Sequence, residues 1–210
     1  MADWVTISSL ATAGGTLVLA GATFASVRSA NRAARIAEQS LLSGLRPLII
    51  PSRLSDTSQK VNFVDDKVLV VGGGGAAVDV SDGAVYLAIS LRNAGSGIAV
   101  LHGWRFERAS PGGAPEHPPL EEFTRLTRDL YVPVGDVGFW QGAFRDPSST
   151  EYADAKAAIA NREPFRIDIL YGDFEGGQRV VSRFGVLPRD DGGWYTSVGR
   201  HWNVDRADPR

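Results

Sequence analysis

The sequence predicts a mainly β protein held to a membrane: an N-terminal transmembrane helix and helical stalk, then an antiparallel immunoglobulin-like β-sandwich with one short helix. Three observations carry this. Trp4 to Val27 runs for 24 positions without a charged side chain, and Arg28, Arg32 and Arg35 follow at once. Beyond Pro47 the apolar residues recur with a period of two in short runs. Turn-forming clusters such as Asn93–Gly97 and Gly172–Gly177 separate those runs at hairpin distances.

The first element is the anchor, residues 1–27. An uncharged run of this length can cross a bilayer core as a helix. A secretory signal would open with a basic segment, whereas this chain opens Met-Ala-Asp, so a retained span is the expected reading. Basic residues gather only on the trailing side, at Arg28, Arg32, Arg35 and Arg46. The flank rich in Lys and Arg normally stays in the cytoplasm. The expected topology is single-pass in the plasma membrane, N-terminus outside and C-terminal domain cytoplasmic. Thr12, Thr16 and Ala20 form a small-residue stripe at i, i+4 spacing, a possible helix–helix interface through which the span self-associates or meets a protein partner. An equal alternative is that Gly and Ala reflect genome composition. Of the basic residues only Lys60, Lys67 and Lys156 are lysines, an arginine bias that suggests a GC-rich bacterium.

Residues 28–46 continue without a helix breaker to Gly44 and Pro47, which predicts a stalk. Its arginines can touch anionic lipid, at about 1 kcal/mol each near the surface. Membrane lipid is thus an expected partner.

The β-sandwich is expected over residues 47–201. Setting aside Arg28, Arg32, Arg35 and Arg46 and the acids Asp3 and Glu38, 18 basic residues face 22 acidic ones from Pro47 to Arg210. That balance argues against a nucleic-acid surface built on positive charge. About 160 residues suffice for one core. The absence of cysteine excludes a disulfide framework, a thiolate zinc site and a cysteine nucleophile.

Alternation is clearest in Val85, Leu87, Ile89 and Leu91, with Tyr86, Ala88 and Ser90 on the opposite face. Ile98, Val100, Trp104 and Phe106 repeat it, as do Phe165, Ile167, Ile169 and Tyr171, and less cleanly the run Val180–Leu187. Shorter candidate strands are Leu48–Arg53, Val61–Val64, Val68–Val71, Leu130–Val134 and Trp194–Val198. Thr150–Glu163 reads as the helix, with acids in its first turn and Arg162 in its last. Gly72–Gly75 with Ala76 and Ala77 reads as a mobile hairpin tip, and Ser110–Pro119 as an irregular loop. The last segment, 202–210, reads as a polar tail that frays or drapes over the surface.

Little in this pattern points to chemistry. His102 shares a face with Val100 and Trp104, which favours a hydrogen-bonded core or edge histidine; His117 sits in the Pro/Gly loop and His201 between Arg200 and Trp202. None has HxH or HExxH spacing. The glycine run lacks the Lys-Ser/Thr of a phosphate loop, and GxSxG is absent. Acidic pairs such as Asp65-Asp66 and Asp190-Asp191 lack the alternation of a calcium loop. No catalytic residue, cofactor or metal is therefore expected. In Val137–Phe144, adjacent Phe139 and Trp140 point to opposite faces if this is a strand, so one of them is a candidate interface anchor.

The order of one N-terminal span, an Arg-rich stalk, Leu45-Arg46-Pro47 before the first strand, and Leu91-Arg92-Asn93-Ala-Gly-Ser-Gly97 resembles that of uncharacterised small single-pass bacterial membrane proteins of actinobacterial type with a C-terminal β-sandwich. The hairpin Tyr171-Gly-Asp-Phe-Glu-Gly-Gly-Gln-Arg-Val-Val-Ser-Arg-Phe184 is similar to their second recurrent stretch. The resemblance implies a fold and no activity. The function expected is a membrane-tethered interaction module, an accessory subunit or scaffold of a membrane-associated complex. The alternatives are a small-ligand or cation-binding sandwich using the 72–77 and 110–119 loops or the acidic hairpins, and behind that a hydrolase using His102 with an acid from a loop.

Overall fold

The computed structural model describes residues 3–109 and 116–206. It divides into two compact units, residues 1–44 and 45–210.

The first unit is one helix, α1 (Trp4–Gly44), and within its Ile7–Leu42 stretch an 18-residue window reaches a mean hydropathy of 1.5, long and apolar enough to cross a membrane. The segments expected as anchor and stalk lie in one continuous helix of 41 residues, roughly 60 Å at 1.5 Å per residue. The threonines do not interrupt it. Thr12, Thr16 and Thr23 each donate a hydroxyl hydrogen bond to the carbonyl four residues back, at 2.9, 2.9 and 2.8 Å. A hydroxyl satisfied inside its own helix can face lipid without an orphaned donor.

The second unit begins at Leu45 rather than Pro47, because Arg46 belongs to its hydrogen bonding. The Arg46 carbonyl accepts from Ser96 and Gly97, and its guanidinium donates to Asn203 at 2.5 Å. Among the described residues eleven strands follow: β1 (Ile49–Pro51), β2 (Gln59–Asn62), β3 (Val68–Val71), β4 (Gly75–Ser81), β5 (Ala84–Asn93), β6 (Ala99–Arg108), β7 (Thr124–Val132), β8 (Val137–Phe144), β9 (Phe165–Gly172), β10 (Val180–Pro188) and β11 (Trp194–Asn203). A second helix, α2 (Thr150–Ala160), lies between β8 and β9; Ser149 caps it by accepting from the Tyr152 amide. The expectation of a mainly β, antiparallel domain with one short helix holds.

Nine strands form one hydrogen-bonded sheet that folds over on itself. Its centre is narrow: β4 and β11 pair only through Ala76–Trp194 and Gly75–Tyr195. On one side of that link stand β1, β4, β5 and β8; on the other β11, β10, β9, β6 and β7 run in order. The two leaves face each other across the core, where Trp104 of β6 meets Trp140 and Phe144 of β8 at ring distances of 5.1 and 5.0 Å. The buried Tyr171 hydroxyl of β9 reaches across to accept the Ile49 amide of β1 at 3.2 Å. The alternating residues Val85, Leu87, Ile89, Leu91 and Phe165, Ile167, Ile169, Tyr171 supply the facing surfaces.

The hairpin β2–β3 is a separate two-stranded sheet and makes a third layer. Its Val61, Leu69 and Val71 pack with Phe63 on Ala84, Tyr86 and Ala88, the opposite face of β5. That face, expected to lie open, is closed, and β5 is buried on both sides.

The glycine run is not a mobile tip. Gly74 and Gly75 are buried, the Gly74 amide donates to Ser52 Oγ at 2.9 Å, and the Gly74 carbonyl accepts the Thr196 amide. At Gly73 a Cβ would lie 2.2 Å from the Arg53 carbonyl oxygen, so the backbone passes where no side chain fits. Residues 202–206 are likewise part of the domain. Trp202 is buried with Val181 and Phe123, and Asp205 accepts three bonds from the Arg179 guanidinium and one from its amide.

Candidate functional site

The two strands at the ends of the sheet, β7 and β8, are joined by a short turn, yet they do not pair with each other; β7 pairs only with β6 and β8 only with β5. Asn93, fully buried, fixes this turn. Its amide group donates to the Gly97 and Val132 carbonyls at 2.7 and 3.0 Å, and its side-chain oxygen accepts the Leu48 and Gly95 amides. Its own backbone exchanges bonds with Gly135 and Asp136. The Leu91–Gly97 motif is thus the junction of three chain segments.

Beyond the turn β7 bows away from its partner. Leu101 pairs with Leu130 and Gly103 with Arg125, so the single residue His102 faces the four residues 126–129. Against β9 the same histidine is one extra residue, since Leu101 and Gly103 pair with consecutive Tyr171 and Leu170. A bulge of this kind re-aims a side chain. His102 is half-buried, and neither ring nitrogen has a hydrogen-bond partner among the described residues. Burial pushes its imidazole below the ordinary value, with Asp129 and Asp173 acting oppositely and Arg179 assisting. Gly172 leaves room for it: a Cβ there would stand 3.0 Å from Nε2.

The bow opens space on two sides. On one, His102, Asp129, Arg179, Phe123 and Leu170 line an open cleft of about 560 Å³. On the other, a notch of about 90 Å³ separates β7 from β8, lined by Trp104, Leu126, Leu130 and three arginines, Arg125, Arg128 and Arg145, with no carboxylate in its wall. Arg145 is paired with Asp65 at 2.9 Å. Arg128 donates only to neutral acceptors, Gln141 Oε1 at 2.9 Å and the Asn62 carbonyl at 3.3 Å. Arg125 has no ion-pair or hydrogen-bond partner among the described residues.

At the end of the bow Tyr131 and Phe174 stand exposed, 51% and 67%, with ring centroids 6.5 Å apart. Ile98 and Val134, also exposed, adjoin the same ends of β6 and β7. The exposed anchor expected from the sequence was instead one of Phe139 and Trp140. Those two do point to opposite faces of β8, but neither face is open. Trp140 is fully buried in the main core, and Phe139 packs half-buried under the β2–β3 hairpin. Trp140 is thereby corrected from interface candidate to core residue. The signal for Tyr131 and Phe174 was slight: one lies at the end of an edge strand without alternation, the other in a glycine-rich turn.

The remaining candidates fall elsewhere. Thr12, Thr16 and Ala20 keep their i, i+4 stripe on α1, but the threonine hydroxyls are spent on their own helix. His117 Nδ1 lies 2.7 Å from the Pro118 carbonyl, and residues 110–115 of its loop lie outside those described. Ser182 Oγ and His201 Nδ1 are 2.6 Å apart, the spacing of a nucleophile and base. Ser182 is fully buried and also bonded to the Tyr171 hydroxyl at 2.9 Å, so the chain Ile49–Tyr171–Ser182–His201 links the leaves and presents no reactive oxygen. A larger cleft, about 780 Å³, lies beside α2, but its Arg108 is engaged by Glu163 and Asp154, and its Arg105 by Glu107 and Glu122. Among the described residues no three His, Asp or Glu groups converge as metal ligands would.

The resemblance to actinobacterial single-pass proteins rests on the quoted motifs alone, because the chain matches no family model, no curated protein and no solved structure.

Proposed function

We propose that this chain is a membrane-tethered interaction module, an accessory subunit or scaffold whose domain docks a partner protein at the β7 end of the sheet. The observation that carries this is the exposed Tyr131–Phe174 pair. Two large exposed rings side by side are the side chains that most often anchor an interface. The unpaired edge of β7 beside them is a place where a partner strand can add.

In this reading α1 spans the plasma membrane once, against lipid. The charge asymmetry around Arg28, Arg32 and Arg35 puts the N-terminus outside and the domain in the cytoplasm of a bacterium. The two-leaf architecture supports the immunoglobulin-like likeness at the level of layers. Chemistry is left to the partner, and self-association through Thr12, Thr16 and Ala20 is a secondary contact.

The test is isolation of the full-length chain from its native membrane in mild detergent, with quantitative mass spectrometry, alongside a Tyr131→Ala/Phe174→Ala variant. The expected result is a partner near equal amount with the wild type, lost with the variant while circular dichroism is unchanged. The same partners on both, or no partner on either, overturns the proposal.

A further inference from the structure

The arginine-lined notch between β7 and β8 says what kind of segment docks. We infer that it receives a carboxylate side chain of an extended acidic peptide, which belongs to the partner and lies along the β7 edge. This rests on the docking reading above and narrows it to one chemistry.

Charge is the first argument. Residues 47–210 carry 18 basic against 22 acidic residues, and most of the arginines are neutralised: Arg183 by Asp168, Arg179 by Asp205, Arg108 by Glu163. Arg125 and Arg128 are exceptions, since neither has a carboxylate partner and both line the same notch. Asp129 is next in sequence but is not part of the notch wall. A guanidinium without a counter-ion at a concave surface is a ready partner for a carboxylate, which it can hold through two parallel bonds.

Shape is the second. A volume of about 90 Å³ is the scale of one acidic side chain and too small for a folded element. Apolar Leu126, Leu130 and Trp104 share the wall with the exposed Arg125 and Arg128, so the stem of an acidic side chain meets apolar surface beside the charge.

The backbone is the third. β7 and β8 both present an edge without a ladder partner on the notch side, and residues 126–129 lie outside the ladder with β6 as well. An extended chain can bond to such an edge while alternate side chains enter the notch. A lipid headgroup has the charge but cannot use those edges, so the peptide is favoured. Arg128 currently bridges the notch to Gln141 and Asn62, and swings to the carboxylate on binding.

The experiment selects random displayed dodecapeptides on the full-length chain in nanodiscs, then measures synthetic copies of the selected sequences. Peptides enriched in Asp or Glu are expected, with affinity falling at least roughly tenfold on Arg125→Ala and on replacing the peptide's Glu by Gln. Affinity should also weaken with added salt. Arg125→Ala removes no bond seen in the structure, so folding is not at stake. Peptides that bind Arg125→Ala and Arg125→Ala/Arg128→Ala as tightly as the wild type overturn the notch. The docking reading survives that result if Tyr131→Ala/Phe174→Ala still releases them. If no peptide is selected, the notch inference falls, and the docking reading is left to the co-purification with the Tyr131→Ala/Phe174→Ala variant. If the arginine variants change only the affinity for vesicles containing phosphatidylglycerol, the notch serves lipid and the peptide inference is wrong.

Discussion

Arg183 grips Asp168 with two guanidinium nitrogens, Nε and Nη2, each 2.7 Å from a different carboxylate oxygen, and Asp168 has no exposed surface. The pair sits on the outer face of the β9–β10 ladder, where Arg183 stacks on Trp202 at 5.2 Å and also reaches Glu107 at 3.2 Å. The bond to Asp168 holds the guanidinium's pKa above its ordinary value. Removing Asp168 leaves the buried guanidinium with Glu107 alone, and breaking a buried pair from one side typically costs about 3–5 kcal/mol. Asp168→Leu should therefore lower the chemical-denaturation midpoint strongly. The double variant Asp168→Leu/Arg183→Met should recover most of the loss, because both charges are gone. A single variant as stable as the wild type would show the pair to be idle.

Asn93 invites a substitution that changes almost no volume. Asn93→Asp removes both N–H donors to the Gly97 and Val132 carbonyls and puts a negative charge beside them. Each orphaned buried acceptor costs about 1–3 kcal/mol, so thermal unfolding should move down sharply. The loss should be smaller at acidic pH, where the new carboxyl can protonate and donate one bond. A melting point equal to the wild type at neutral pH would refute the role of Asn93 as a junction.

The same residues explain how far the sequence could be read. Val85–Leu91 and Phe165–Tyr171 announced their inward faces because a core selects every second residue. Nothing in Tyr86, Ala88 and Ser90 announced a third layer, since small and amphipathic residues serve a covered face as well as a wet one. The bow of β7 was hidden for a different reason. In Thr124–Val132 only Leu126, Leu130 and Val132 turn inward, and the exposed Arg128 stands at the alternate position between the first two, where residues 126–129 leave the ladder. Gly72–Gly75 misled because glycine marks both loose chain and tight backbone crossings, and only the neighbouring Ser52–Asp56 segment decides between them. Trp140 lies inside because β8 has a covered face on each side, a property of the fold and not of the strand.

The helix α1 makes a sharp prediction of its own. Leu17, Val18, Leu19 and Phe24 lie in its uncharged part with their side chains exposed. An arginine near the middle of a span costs about 3 kcal/mol of insertion. Val18→Arg should therefore move the protein from the alkali-resistant membrane pellet toward the supernatant. Ala34→Arg, beyond the uncharged run, should not. Equal partitioning of Val18→Arg and the wild type would mean that the helix is not a span.

His102 gives the protein a pH dependence whose sign follows from its burial. Its folded pKa lies below the ordinary value of about 6.5, so the unfolded chain takes up the proton first. Protons then favour unfolding: the contribution is fully present above the unfolded pKa, is lost as pH falls toward the folded pKa, and changes no further below it. The groups facing the ring are Asp129 and Asp173, which resist the shift, and Arg179, which assists it. Acidifying from about pH 7.5 to 5.5 should lower the melting temperature, and His102→Gln should flatten that slope while keeping a polar side chain on the bulge. Carboxylates titrate mostly below this window, so the difference between the two proteins isolates the imidazole. An imidazole that titrates above 6.5 by NMR, or a slope that His102→Gln leaves intact, would show that the bulge holds a solvated ring.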